Sequence, residues 1–199
     1  MLIHRYYGRM LKKELVSLPD SVCFMVAADE ISGTPSKFSE VVSWCKNLGI
    51  FKVIFHIDTD NVSSVIPHLD TVRGISGAAR LNLFYDDKVE RLGEDCGMTV
   101  TVAVGMSGRE EIASAVKRMA ADKIAPEDVT EEVLESYLKF RVEPDFVIKT
   151  GGSHLTDFLI WQSVYSELFF LDVNWDRFRE IDFLRALRDY QIRKRRYGA

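Results

Sequence analysis

The sequence predicts an α/β fold with a mainly parallel central sheet flanked by helices on both faces. SVCFMVAA (21–28) and IFKVIFHI (50–57) are short and nearly apolar throughout, as strands buried on both faces must be. Between them, SKFSEVVSWCKNLG sets Phe38, Val41, Val42, Cys45 and Leu48 at helical spacing, so residues 21–57 read strand, helix, strand. The alternation continues along the chain, and a parallel sheet needs such crossovers.

The elements follow in order. Residues 3–15 place Tyr6, Tyr7, Met10, Leu11 and Leu15 on one helical stripe that Pro19 closes off. Gly49 fits the C-cap of the second helix. Residues 58–79, rich in Ser, Gly and Asp, are the least regular part. RLNLFY (80–85) and TVTVAV (99–104) read as strands, and GREEIASAVKRMA (108–120) as an amphipathic helix. PDFVIKT (144–150) is a strand emerging from a proline, FLIWQSVYSEL (158–168) reads as helical, and FFLDV (169–173) as a last strand. A final helix spans about Phe178 to Arg195 with Ile181, Leu184, Leu187 and Ile192 inward. Residues 1–199 are most economically a single domain.

Composition narrows the function classes. Hydrophobic content of 47% and charged content of 28% are those of a globular protein, and a net charge of −4 argues against bulk binding to nucleic acid. Charge is unevenly placed: RKRRYGA (193–199) holds four cations, whereas EDVTEEVLE (127–135) holds five acids. Cys23, Cys45 and Cys96 are odd in number with no CxxC spacing, which suits reduced thiols and a cytoplasmic location. The four histidines form no metal motif. MLIHRYYGRMLKKELVSLPD carries charges through its apolar positions and does not read as a signal peptide. No run approaches the roughly 18 apolar residues of a membrane span, which leaves peripheral membrane contact open.

In open parallel sheets ligands sit beyond the carboxyl ends of the strands, and AADEISG, GMSGREE and KTGGSH fall there. Lys149 with Gly151 and Gly152 reads either as a phosphate contact at a following helix N-terminus or as a tight turn. Arg109 reads as a phosphate contact or as a partner to a nearby acid, and His154 as a surface loop residue. Trp161, Tyr165, Phe169 and Phe170 read as core or dimer interface.

PDFVIKTGGSHLTDFLIWQSVYSEL resembles the signature of the cis-prenyltransferases, the undecaprenyl and dehydrodolichyl diphosphate synthase family, which runs roughly P-D-x-x-I-R-T-S/G-G-E-x-R-x-S-N-F-L-x-W-Q-x-x-Y-x-E-L. Phe158, Leu159, Trp161, Gln162, Tyr165, Glu167 and Leu168 match in spacing. Ser107-Gly108-Arg109-Glu110-Glu111-Ile112 is similar to the family's G-G-R-x-E-I, and WCKNLGI (44–50) to the segment ahead of its second strand. The resemblance implies joining isopentenyl diphosphate to an allylic diphosphate with Mg²⁺, which neutralises the departing diphosphate.

The chain departs from that pattern where the family's chemistry is done. Ala27 stands at the position of the Mg²⁺-binding Asp of D-G-N-x-R, and ISGTPSK follows in place of Asn and Arg. Lys149 replaces the first signature Arg, and Ser153-His154-Leu155 replaces E-x-R one residue short. Asp29 and Glu30 sit two and three residues late, ~6–10 Å along an extended backbone. Glu167 remains, as a family relic or a structural hydrogen-bond partner. Arg196 and Gly198 fit the family's C-terminal R-x-G motif, which serves the diphosphate of the neighbouring subunit. The bland reading of these cations is favourable charge at a helix C-terminus.

The resemblance therefore points to the Nogo-B receptor type of accessory subunit. It implies a catalytically deficient partner in a heteromeric cis-prenyltransferase, with no catalytic residue of its own, Arg196 and Gly198 given in trans, and Mg²⁺ held mainly by the catalytic subunit. Two alternatives stand beside it: a stand-alone enzyme with a metal site displaced to Asp29 and Glu30, and a non-enzymatic homodimeric scaffold.

Overall fold

A computed structural model describes the backbone of residues 2–152 and 156–197 and the side chains of residues 7–152 and 156–193. One seven-stranded sheet organises it, in the order β4-β3-β5-β2-β1-β6-β7. The strands are β1 (Ser21–Ala27), β2 (Lys52–Asp58), β3 (Arg80–Tyr85), β4 (Lys88–Leu92), β5 (Thr99–Val104), β6 (Phe146–Thr150) and β7 (Glu167–Leu171). All neighbours pair parallel except β3 with β4, a hairpin that gives the sheet one antiparallel edge. The helices are α1 (Leu2–Glu14), α2 (Lys37–Leu48), α3 (Leu69–Arg73), α4 (Gly108–Ala121), α5 (Glu131–Tyr137) and α6 (Glu180–Tyr197).

The two faces of the sheet are covered differently. On one, Val22, Phe24 and Val26 of β1 meet Phe38, Val41 and Cys45 of α2 and Phe183 and Leu187 of α6. Trp175, fully buried, stacks on Phe178 with ring centres 5.8 Å apart and tilts against Phe24 at 6.2 Å. On the other face, Cys23, Met25, Ile54 and Val147 lie under Phe140, Phe158 and Leu159, which come from irregular segments. Alternate side chains of β1 thus feed opposite clusters, which is why its sequence is apolar at every position.

The expected second helix and its cap are present: Gly49 has φ 81°, and its N–H returns to the Lys46 carbonyl at 3.1 Å. The expected helix over residues 158–168 is absent. That segment is a series of turns, with Leu159 at φ 57°, and the last strand begins at Glu167 rather than Phe169. Tertiary bonds override its helical spacing. The Gln162 amide nitrogen donates to the Phe140 carbonyl at 2.6 Å, and the Asp157 carbonyl accepts from Gly108 N at 2.8 Å. The polar run 127–137 yields α5, capped by the Thr130 hydroxyl, and β4 was not foreseen either.

α6 lies between the sheet and α1, so α1 forms an extra outer layer. Leu11 packs on Ile181 and Leu184, and Tyr7 and Leu15 border the same small cluster. Met10 is 43% exposed and Ile192, expected inward, is also 43% exposed; both face away from the cluster. Gln191 fastens the layers: its carbonyl oxygen accepts from Val16 N at 2.6 Å and Ser17 N at 2.9 Å, and its amide nitrogen donates to the Glu14 carbonyl at 3.1 Å. Replacing Gln191 with Ala leaves two backbone donors and an acceptor short of partners. We expect a loss of about 1–3 kcal/mol in urea unfolding, the cost of unsatisfied buried polar groups.

Candidate functional site

The parallel strands end together, so Ala27, Asp58, Val104 and Thr150 reach one edge of the sheet. Asp58 follows β2 there, and a cavity of about 430 Å³ opens beside it, lined by Ala27, Asp29, Ser32, Asp58, Ser64 and His68 among others. Ala27 brings no carboxylate to this edge. Burial pushes the Asp58 carboxyl above its usual range, and the charge of Lys149 partly offsets that.

Lys149, Met25, His56 and Ala103 share one row across β6, β1, β2 and β5, so their side chains emerge on the same face. Lys149 is only 7% exposed and forms no direct ion pair among the described residues. His56 is buried flat against Phe158, with ring centres 3.8 Å apart and planes 5° apart. Neither of its nitrogens has a hydrogen-bond partner among the described residues. Burial holds its pKa down to about 3, partly offset by the Met106 backbone, whose approach falls short of a hydrogen bond.

The KTGG turn is filled by the chain itself. Gly151 has φ 69°, and a Cβ there would collide with the Glu30 carboxylate. Glu30 Oε2 accepts from Trp175 N at 3.1 Å, and its position between core and turn is fixed by that bond. Burial raises the pKa of Glu30; the Trp175 amide and the charge of Lys149 pull it back. Among the described residues no helix begins between 156 and 166, an arrangement that accords with the tight-turn reading of Gly151 and Gly152 rather than with a phosphate contact at a helix N-terminus.

A second anion-favouring place, the start of α4, is filled in the same way. Ser107 Oγ accepts from Glu110 N at 3.3 Å and donates to Asp157 Oδ2 at 2.6 Å, while Gly108 N donates to the Asp157 carbonyl. A Cβ at Gly108 would strike that carbonyl. Arg109 lies on the surface, 82% exposed, 3.7 Å from Asp157.

The signature residues mostly hold the fold. Asp145 Oδ2 accepts from Ser21 N at 2.8 Å and ties β1 to β6. Buried Glu111 accepts from Phe140 N at 2.5 Å and from the Gln162 amide at 3.4 Å, so the acid of R-x-E-I and the amide of W-Q secure one strap over the sheet. Trp161 turns outward, donating to Glu135 at 3.1 Å, and Tyr165 is 98% exposed, so neither is core. Phe169 borders the core, whereas Phe170 is 40% exposed.

Glu167 lies at the other end of the sheet. It pairs in register with Phe146, three positions before Lys149, or ~10 Å along the strand. Its carboxylate faces Arg193 of α6 at 3.7 Å, and Arg193 also donates to the Leu168 carbonyl at 2.8 Å. Within one chain, Glu167 and KTGG are not two halves of one site. The Arg196 backbone belongs to the last turn of α6 at this same opposite end. Its side chain, and all of Gly198 and His154, lie outside the described residues.

The signature segment, residues 144–168, lies within the match to a known family. The family model described as putative undecaprenyl diphosphate synthase covers residues 79–198. The chain belongs to that family, the cis-prenyltransferases. It is 32% identical over 198 aligned positions to a tritrans,polycis-undecaprenyl-diphosphate synthase (geranylgeranyl-diphosphate specific) of Picrophilus torridus, covering 81% of this chain and 78% of that protein. It is 34% identical over 214 positions to an isoprenyl transferase of Thermus thermophilus, covering 81% and 77%. A probable undecaprenyl diphosphate synthase from Campylobacter jejuni has the same fold, with a TM-score of 0.70 over 92% of this chain and 100% of that one at 18% identity. These relatives carry the names of synthases and transferases rather than of accessory subunits.

The Mg²⁺ that the family implies does not fit this cis-prenyltransferase chain alone. Ala27 supplies no ligand, Glu30 is engaged at Trp175, and no group of three His, Cys, Asp or Glu among the described residues is placed to hold a metal. Sequence reasoning missed Asp157, His56 and the Glu111–Gln162 pair. The signal for Asp157 was the acid standing where the family signature has Asn.

Two outcomes follow. Glu111→Ala should cost about 1.5–3 kcal/mol in denaturant unfolding, because Phe140 N–H loses a charged acceptor. His56 takes a proton in the unfolded chain near its ordinary pKa of 6.5 but in the folded chain only near 3. Its contribution is therefore fully present above about pH 6.5 and lost as pH falls toward 3. Glu30 and Asp58, raised by burial, act in the opposite sense. Urea midpoints between about pH 7.5 and 4.5 should fall for the natural chain and much less for His56→Leu.

Proposed function

We propose that this cis-prenyltransferase is the accessory, catalytically deficient subunit of a heteromeric enzyme making polyprenyl diphosphate from isopentenyl and allylic diphosphates. The observation that carries this reading is Glu30, which sits on the glycine turn where a substrate diphosphate would need to approach. Asp157 at the start of α4 adds to it. Asp29, Glu30, Asp58 and Asp157 surround this edge against Lys149 and the exposed Arg109, a balance that repels a diphosphate.

The same reading gives Arg196 and Gly198 a use. The end of α6 is anchored by Arg193 to Leu168 and by Gln191 to Val16, at the amino ends of the strands. From Ser21 to Ala27 the sheet is ~20 Å long, so Arg196 serves a diphosphate in a partner subunit better than in its own chain. Its planar fork pairs with phosphate oxygens. Mg²⁺ would then be held by the partner's own carboxylates. We place the complex in the cytoplasm, since Cys23, Cys45 and Cys96 are all unpaired.

A second reading, a stand-alone cis-prenyltransferase, draws on the catalytic names of relatives at 32% and 34% identity. The purified chain, incubated with Mg²⁺, isopentenyl diphosphate and geranylgeranyl diphosphate, should form no polyprenyl product. Added to a family member that keeps D-G-N-x-R, it should raise that partner's turnover, and Arg196→Ala should lower the mixed rate by roughly 10²-fold while the two chains still co-elute. Robust product from the chain alone would establish the second reading. An unchanged partner rate on mixing would leave a scaffold.

A further inference from the structure

α6 packs on the sheet with one face and then outruns it. Phe183, Leu187 and Tyr190 recur at helical spacing and are buried in the core, the Tyr190 ring 5.0 Å from that of Phe146. Phe146 opens β6, and its partner in register, Glu167, opens β7. The next position on that face lies past the start of both strands. It is held by Arg193, three residues after Tyr190.

Arg193 reaches acceptors on two elements. Its Nη1 donates to the Leu168 carbonyl at 2.8 Å and lies 3.7 Å from Glu167 Oε2. Its Nε is 2.7 Å from Asp189 Oδ2, one turn earlier on α6, an ion pair whose angle falls short of a hydrogen bond. β7 is an edge strand paired with β6 alone, so it keeps backbone groups that the sheet does not use. A guanidinium suits this place because its donors point in fixed directions, whereas an ammonium is a single charged point. The half-exposed ion pairs contribute little by themselves. What the fork adds is direction, tying the end of α6 to the first residues of β7. On the other side of the helix, Gln191 accepts from the backbone of Val16 and Ser17. Past Arg193, α6 runs only to Tyr197, about one turn, and that turn includes the Arg196 backbone. A single terminal turn is marginal unless something holds it.

We propose that Arg193, with Glu167 as its counter-charge, is a positioning residue that fixes the last turn of α6 and so presents Arg196 to the partner's diphosphate. This rests on the accessory-subunit reading. It gives the retained signature acid a use other than holding metal: Glu167 acts on the tail of its own chain.

The test applies one variant of the full chain, Arg193→Gln, in two settings. In the chain alone, amide hydrogen exchange read by mass spectrometry should quicken about tenfold over residues 193–197 and stay unchanged in α2 and α4. Mixed with a family member that keeps D-G-N-x-R, the variant should still co-elute with it. It should raise the KM for isopentenyl diphosphate roughly tenfold and leave kcat within about twofold, since only the fraction of ordered tails falls. Arg193→Lys should restore part of both effects, and Glu167→Gln should reproduce them in weaker form. Unchanged exchange at 193–197, or an unchanged KM in the mixture, overturns the proposal. So does a lower kcat at the same KM, because poorer folding removes whole complexes without altering their affinity. Failure of the accessory reading looks different: the natural chain itself then leaves the partner's rate unchanged, and the role in trans falls with it.

Discussion

The parallel pairing of β1 with β2 on one side and β6 on the other is the constraint from which the rest follows. It buries both faces of β1 and brings the carboxyl ends of the central strands to one edge. Any group delivered there sits against a low-dielectric core, so its charge must be matched locally. The chain matches Lys149 with acids of its own, and burial raises two of them, Glu30 and Asp58, above their ordinary range.

Glu30 joins that edge to the other main structural unit, the aromatic cluster. Phe24, Phe178 and Trp175 pack together, which fixes the Trp175 amide, and that amide fixes the carboxylate over Gly151. A diphosphate entering the turn would have to displace a hydrogen bond to a charged group, a contribution of about 1.5–3 kcal/mol, and would then face the remaining acids. At the opposite end of the sheet, by contrast, Arg193 faces Glu167 at 3.7 Å and donates to the Leu168 carbonyl.

The strands were legible wherever periodicity and burial agreed: TVTVAV is β5 residue for residue, and Gly49 caps α2 as its position implied. The segment 157–166 was not, although its apolar residues keep helical spacing. Four anchors hold it as a strap: Asp157 on the α4 start, Phe158 under His56, Leu159 in the left-handed region, and Gln162 on Phe140. Three of them, Asp157, Phe158 and Gln162, meet partners distant in sequence, and no local pattern encodes those contacts. The site was half legible. The missing Asp at Ala27 was read directly, but the bond of Glu30, one of two acids in the alternative displaced-site reading, to Trp175, 145 residues away, was not.

The sequence by itself determined the α/β class, the family signature, and the exchange of the family's charged residues at Ala27 and Lys149, because these are properties of residue type and spacing. Only the tertiary structure decided which end of the sheet each charged group occupies. It put Glu167 and the end of α6 at one edge and Glu30 with Lys149 at the other. Strand direction and register set that separation, and both are fixed by pairing between segments far apart in the chain.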